Sequence, residues 1–189
     1  MKRSLGLNVL GLMVAFLASG CTVTGVNFSE ISRPQRSEKM DAYSVFVGSW
    51  TWEAEMINAD AADRHWTGTA EWKWGLDQRV LNGHLAAKSQ RAEFEADGVW
   101  SWHPEKKKYV WWMFSNWGYP QSGTAKYDAD RRCWRMDFKS VGLDGTDSYG
   151  CYCLCVKDND TIDWNVCEYA DPFRTIKKME MNGTYKRKR

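Results

Sequence analysis

Phe46-Val47-Gly48-Ser49-Trp50-Thr51-Trp52 opens a stretch in which apolar residues return at every second position. Over residues 45–56 the even positions read Phe46, Gly48, Trp50, Trp52, Ala54 and Met56, and the odd ones Val45, Val47, Ser49, Thr51, Glu53 and Glu55. A period of two with one apolar and one largely polar face describes a half-buried β-strand. An Asn, Asp and Ala run breaks the pattern. It resumes with Trp66, Gly68, Ala70, Trp72 and Trp74 alternating against His65, Thr67, Thr69, Glu71 and Lys73. Two adjacent half-buried strands are the natural reading.

The same reading extends along the chain. Turn signals recur every 8–14 residues, near 58–63, 75–78, 88–91, 103–107, 118–123, 128–131, 142–146, 158–160 and 169–172. Ten strand-length segments lie between and outside them, with no helical period. Trp134, Met136 and Phe138 alternate with Cys133, Arg135 and Asp137; Tyr152, Leu154 and Val156 alternate with three cysteines; Ile162, Trp164 and Val166 alternate with Asp163, Asn165 and Cys167. The last strand turns Met179, Met181, Gly183, Tyr185 and Arg187 inward. Short, evenly spaced strands joined by short loops predict an all-β fold, a single up-and-down antiparallel β-barrel of about ten strands, whose closure leaves no exposed edge.

The chain has 189 residues, 43% of them hydrophobic, with 12 Trp and 6 Cys. That length suits one domain with a real core. Lys2 and Arg3 precede an apolar run from Leu5 to Leu17 that ends in Leu17-Ala18-Ser19-Gly20-Cys21. A basic start, a short apolar run and small residues before a cut describe a secretory signal over residues 1–20, since a membrane span needs about 20 apolar residues. Leu-Ala-Ser-Gly-Cys resembles a bacterial lipobox, which implies that Cys21 is lipidated and becomes the first mature residue. Thr22, where Asp would hold the protein at the inner membrane, implies an outer-membrane destination, facing the periplasm or the cell surface. Residues 21–44 read as the lipidated cysteine and a tether, with a short helical turn over 37–44, and 45–189 as the barrel domain. Removing Lys2 and Arg3 takes the formal charge from +2 to 0, so nothing argues for nucleic acid. The membrane is met through the lipid anchor alone.

Gly48-Ser49-Trp50 on the first strand, the segment 76–81, the run from Trp102-His103-Pro104-Glu105 to Tyr109-Val110-Trp111, and Tyr185-Lys186-Arg187 at the end resemble the calycin superfamily of lipocalins and fatty-acid-binding proteins. The likeness is greatest to the calycin-like bacterial domains of unknown function related to nitrobindin. It implies that Arg187 packs over Trp50 and closes one end of the barrel, with Gly48 and Tyr185 in the same structural set, a cation–π contact worth roughly 1–2 kcal/mol when desolvated. Nitrobindin-like proteins bind haem through a histidine near the C-terminus. This chain has no histidine after His103, so no cofactor is expected.

Five cysteines besides Cys21 lie on the outward parity of three consecutive strands. A turn centred on Asn159 sets Cys151 opposite Cys167, and matching the apolar faces across 142–146 sets Cys133 opposite Cys153 or Cys155. Opposed residues in an antiparallel pair are about 4.5–5.5 Å apart at Cα, within disulfide reach. A secreted address then predicts Cys151–Cys167, and Cys133 with Cys153 or Cys155; five free thiols is the alternative in a poorly oxidising setting. Cys-x-Cys-x-Cys along a flat strand does not converge its sulfurs, so no metal site is expected.

A barrel of this size leaves room for one small ligand. Trp52, Trp72, Trp74, Trp112, Phe114, Trp134 and Trp164 are the candidate lining residues for a small hydrophobic molecule, with Trp111 and Trp117 placed near a rim. The plain alternative is that these rings fill the interior and the exposed ones contact a glycan or an envelope partner. Phosphate loops and Ser/His/Asp motifs are missing. An isomerase or lyase role would fall to His84, whose face is ambiguous. The prevailing expectation is binding without catalysis.

Overall fold

The structure, a computed structural model, describes residues 35–118, 120–142 and 145–189. The signal segment, Cys21 and the first part of the tether lie outside the described residues. Ten antiparallel strands form a closed up-and-down barrel. They are β1 (Gly48–Met56), β2 (His65–Gly75), β3 (Val80–Lys88), β4 (Glu93–His103), β5 (Lys108–Ser115), β6 (Gln121–Asp128), β7 (Cys133–Val141), β8 (Asp147–Val156), β9 (Thr161–Tyr169) and β10 (Lys177–Arg187). Each pairs with its sequence neighbours, and β1 closes the sheet on β10, with Trp50 opposite Arg187 and Trp52 opposite Tyr185. A single helical turn, α1 (Ala61–Arg64), sits in the first loop, capped by the Asp60 side chain.

The alternation in the sequence becomes the two faces of the wall. Along β1, Trp50, Trp52 and Ala54 are buried and Thr51, Glu53 and Glu55 exposed. The two ends of the barrel differ. The expected helical turn over 37–44 is a 3-10 helix, Glu38–Phe46, opened by the Ser37 side chain. It runs through Phe46, so Val45 and Phe46 belong to it and the strand starts at Gly48. Met40, Tyr43 and Phe46 recur every third residue, the period of a 3-10 turn, and all three are buried against the barrel. Tyr43 stacks on Trp134 with centroids 4.3 Å apart, and Tyr109 meets Trp134 edge-on at 4.7 Å while its hydroxyl donates to the Lys39 carbonyl at 2.9 Å. This end is a packed floor.

Arg187 fastens the floor. Its guanidinium carbon lies 4.1 Å from the Trp50 ring centroid, and its nitrogens donate to the carbonyls of Val47 at 2.7 Å, Val45 at 2.8 Å and Asn159 at 2.9 Å. Trp50 is fully buried and its indole N–H donates to the Phe46 carbonyl at 2.8 Å. Gly48 has φ +125°, and a Cβ there would stand 2.8 Å from Arg187 Nη1. Glycine is therefore needed where β1 begins, for its backbone and for its lack of a side chain.

The cysteine ladder has the expected registers but one disulfide. Cys133 opposes Cys155 and is bonded to it; Cys153 opposes Arg135 and is a free thiol, so of the two partners left open for Cys133 it is Cys155 that bonds and not Cys153. Cys151 does oppose Cys167, yet both are free, and the expected Cys151–Cys167 bond is not formed. The Cys167 thiol lies 3.5 Å from Asn165 Oδ1 on its own strand, and burial pushes the Cys151 thiol up, which disfavours the reactive thiolate. Replacing Cys133 and Cys155 with Ser should cost roughly 2–3 kcal/mol through loss of the crosslink, read as a lower melting temperature than the parent under non-reducing conditions. Equal melting would mean the crosslink contributes nothing.

Candidate functional site

Above the floor the barrel is open. A cavity of about 720 Å³ begins over Tyr185 and reaches a mouth lined by Asn58, Asp63, Ala92, Trp117, Gly142 and Lys178. Tyr185 divides the two halves: it lies 5.2 Å from Trp72 on the floor side, and 6.2 Å from Trp52 and 5.9 Å from Trp164 on the cavity side. Trp52 and Trp164 meet edge-on at 5.5 Å.

The seven candidate aromatics separate into three groups. Trp52 and Trp164 line the cavity. Trp72 and Trp134 point inward but are consumed by the floor, and Trp74 lies at its edge beneath the Arg36 guanidinium, 5.6 Å from the ring. Trp112 and Phe114 correct the reading outright: they face outward, 43% and 56% exposed. The strand that carries them is aromatic on both faces, and Tyr109, Trp111 and Met113 take the inner one. Trp111, placed near a rim, is buried inside against Phe138 and Tyr152. Trp117 does stand at the mouth, held by Trp66 and Phe94 and by its N–H bond to the Glu93 carbonyl at 3.0 Å.

His84 is on the outer wall. Leu81, Gly83 and Leu85 claim the inner face of β3, leaving His84 to pair with Asp97 at 2.9 Å and to approach Glu95 at 3.7 Å in solvent. It does not reach the cavity, and a catalytic role there loses its geometry.

The cavity wall is chemically two-sided. Trp52, Leu85 and Phe94 make an apolar side from β1, β3 and β4. Across from them β6 to β9 present Gln121, Ser140, Tyr152 and Glu168. The Tyr152 hydroxyl donates to Gln121 Oε1 at 2.9 Å, and Ser148, which is fully buried, donates its hydroxyl to Glu168 Oε1. Burial pushes the Tyr152 phenol far up and the Glu168 carboxylate adds to that, so Tyr152 stays a neutral donor. Burial raises Tyr185 likewise, with Tyr152 adding. Of the inward polar residues the sequence reading traced only Tyr152, but two others extend faces already traced: Ile162, Trp164 and Val166 lead to Glu168, and Phe138 leads to Ser140.

The mouth is clasped on one side. Asn58 accepts from the Glu180 N–H at 3.2 Å and donates to the Lys178 carbonyl at 2.6 Å, tying the first loop to β10. Arg91 bonds both Asp60 and Asp63, and Ser89 donates to Asp63 at 2.7 Å. These bonds hold Asp63 below the usual carboxylate range, Ser89 contributing most and Arg91 next.

No protein-family model matches the chain, and no curated protein matches it. Solved structures are similar to the chain. Rv2717c from M. tuberculosis is 10% identical with a TM-score of 0.58, over 82% of this chain and 100% of that one. A de novo designed fluorescence-activating β-barrel is 15% identical at a TM-score of 0.43, over 78% of this chain and 98% of that one. The designed barrel EF1p2_mFAP2b, bound to DFHBI, is 8% identical at 0.43, over 79% and 98%. At these identities the likeness to Rv2717c is one of fold.

Proposed function

We propose that this chain is a lipid-anchored envelope protein with a calycin-like barrel that binds one small, largely apolar molecule and carries out no chemistry on it. The observation that carries the binding reading is the cavity of about 720 Å³ standing open above a packed floor. Ligand sites of this kind hold about 300–1,000 Å³ and join an apolar lining to a few placed polar groups. A barrel filled throughout does not fit that void. The anchor and the outer-membrane address are supported by Lys2, Arg3, the Leu5–Leu17 run and the Leu17–Cys21 motif. The calycin-like reading is supported by Gly48, Trp50 and Arg187 meeting at the closed end.

The outward Trp112 and Phe114 favour a second reading, in which the outer wall contacts a glycan or another envelope component.

The full chain isolated from its own cells without denaturation should carry one apolar passenger per chain in native mass spectrometry. The emptied protein should take up decanol saturably, and Leu85→Trp, which projects an indole into the cavity, should weaken that uptake by about tenfold or more. A clean mass, together with no saturable uptake of decanol, would refute the binding reading.

A further inference from the structure

We propose that the ligand is an amphipathic amine, with its ammonium against Glu168 and its apolar body along the wall of Trp52, Leu85 and Phe94. The inference rests on the binding reading and narrows it to a chemical class.

Glu168 is the inward residue of β9 nearest the mouth and lines the cavity. Its position is built. It lies opposite Gly150, with Ser148 and Tyr152 on either side along the inner face of β8. A Cβ at Gly150 would collide with the Phe138 ring and the Cys167 carbonyl oxygen, so the strand opposite Glu168 needs glycine there. Ser148 is fully buried and spends its hydroxyl on Glu168 Oε1. Among the described residues Glu168 has no ion-pair partner.

A carboxylate in a largely apolar cavity is unfavourable unless a positive charge meets it. The other charged groups on the lining are engaged elsewhere. Asp63 is held by Arg91 and Ser89, and the Lys178 ammonium donates to Thr146 Oγ1 at 2.7 Å. An ammonium on the ligand supplies the missing charge. The same arrangement repels a fatty acid. Gln121 and Tyr152 are hydrogen-bonded to each other and place no second charge on the wall. The opposite wall, with Trp52, Leu85 and Phe94, receives the rest of the molecule.

Three probes of one length separate these contributions: decylamine, decanol and decanoate, titrated calorimetrically into the emptied full chain, below their aggregation limits, at neutral pH. The parent should bind decylamine about tenfold or more tighter than decanol and decanoate weakest, as expected for one charge-assisted hydrogen bond in a shielded site. Glu168→Gln, which keeps an acceptor for Ser148, should bring amine and alcohol within about threefold of each other while leaving decanol within about threefold of its parent affinity. Leu85→Trp should weaken all three.

Equal affinities for amine and alcohol in the parent, or an amine preference that survives Glu168→Gln, overturns the proposal while leaving apolar binding standing. Amine binding that survives Leu85→Trp assigns it to the surface and overturns the proposal as well. Failure of all three probes to bind the parent overturns the binding reading itself, and this inference with it.

Discussion

A Trp50→Ala variant is expected to lose roughly 3–5 kcal/mol of stability, which for a domain of this size is roughly 6–20 °C in melting temperature. Trp50 has no exposed surface, and three kinds of contact end on it at once. Its ring carries the Arg187 guanidinium on one face, meets Trp72 and Tyr185 edge-on at 6.2 and 6.5 Å, and its N–H satisfies the Phe46 carbonyl. Truncation leaves a cavity in the floor, an unpaired carbonyl and an arginine with nothing beneath it. Thermal or urea unfolding checks the number. Trp112→Ala is the control, because Trp112 is exposed on the outer wall and its loss should stay within about 0.5 kcal/mol. Melting of the Trp50 variant within a degree or two of the parent would contradict the account of the floor.

Arg187→Ala should be nearly as damaging, roughly 3–5 kcal/mol, for a different reason. The side chain is three-quarters buried and makes charge-assisted hydrogen bonds to Val45 and Val47, both part-buried, with a third to Asn159. The two part-buried bonds contribute about 1.5–3 kcal/mol each, and the exposed one to Asn159 adds little. Arg187→Lys separates charge from geometry: a single ammonium cannot serve the Val45 and Val47 carbonyls and still lie flat on Trp50. Lysine should therefore recover only part of the loss. Full recovery by lysine would mean that charge alone, without the planar fork, fastens the 3-10 helix to the barrel.

Much of the barrel was legible because its evidence is local. Alternation such as Trp50, Trp52, Ala54 assigns a face to each residue, and the turn segments give strand number and order. The same reasoning placed Cys151 opposite Cys167, and it would have delivered Glu168 and Ser140 had the faces been followed two residues further. Height along the barrel axis was not legible. Trp72 and Trp164 have the same inward parity, but one is floor and the other cavity wall, and the difference depends on a helix that plugs one end only. Its buried residues, Met40, Tyr43 and Phe46, follow a period of three over a single short segment, too brief to announce a core element.

Parity also stays silent where both faces are aromatic. On β5 only the competition between Trp111 and Trp112 for the interior decides, and neighbouring strands settle it through Trp100, buried opposite Trp111, and Ala125, buried opposite Tyr109. For the thiols, register determined which cysteines face each other. It could not determine which of them bond, because that depends on side-chain rotation and burial at Cys151 and Cys167.

The measurement closest to the central claim is the crystal structure of the protein soaked with 10-bromodecan-1-ol, with the bromine located by its anomalous signal. The account predicts one bromine inside the barrel, in the cavity bounded by Trp52, Trp164 and Phe94 above Tyr185. A bromine ordered only on the outer wall beside Trp112 and Phe114, with the interior unchanged, would contradict it.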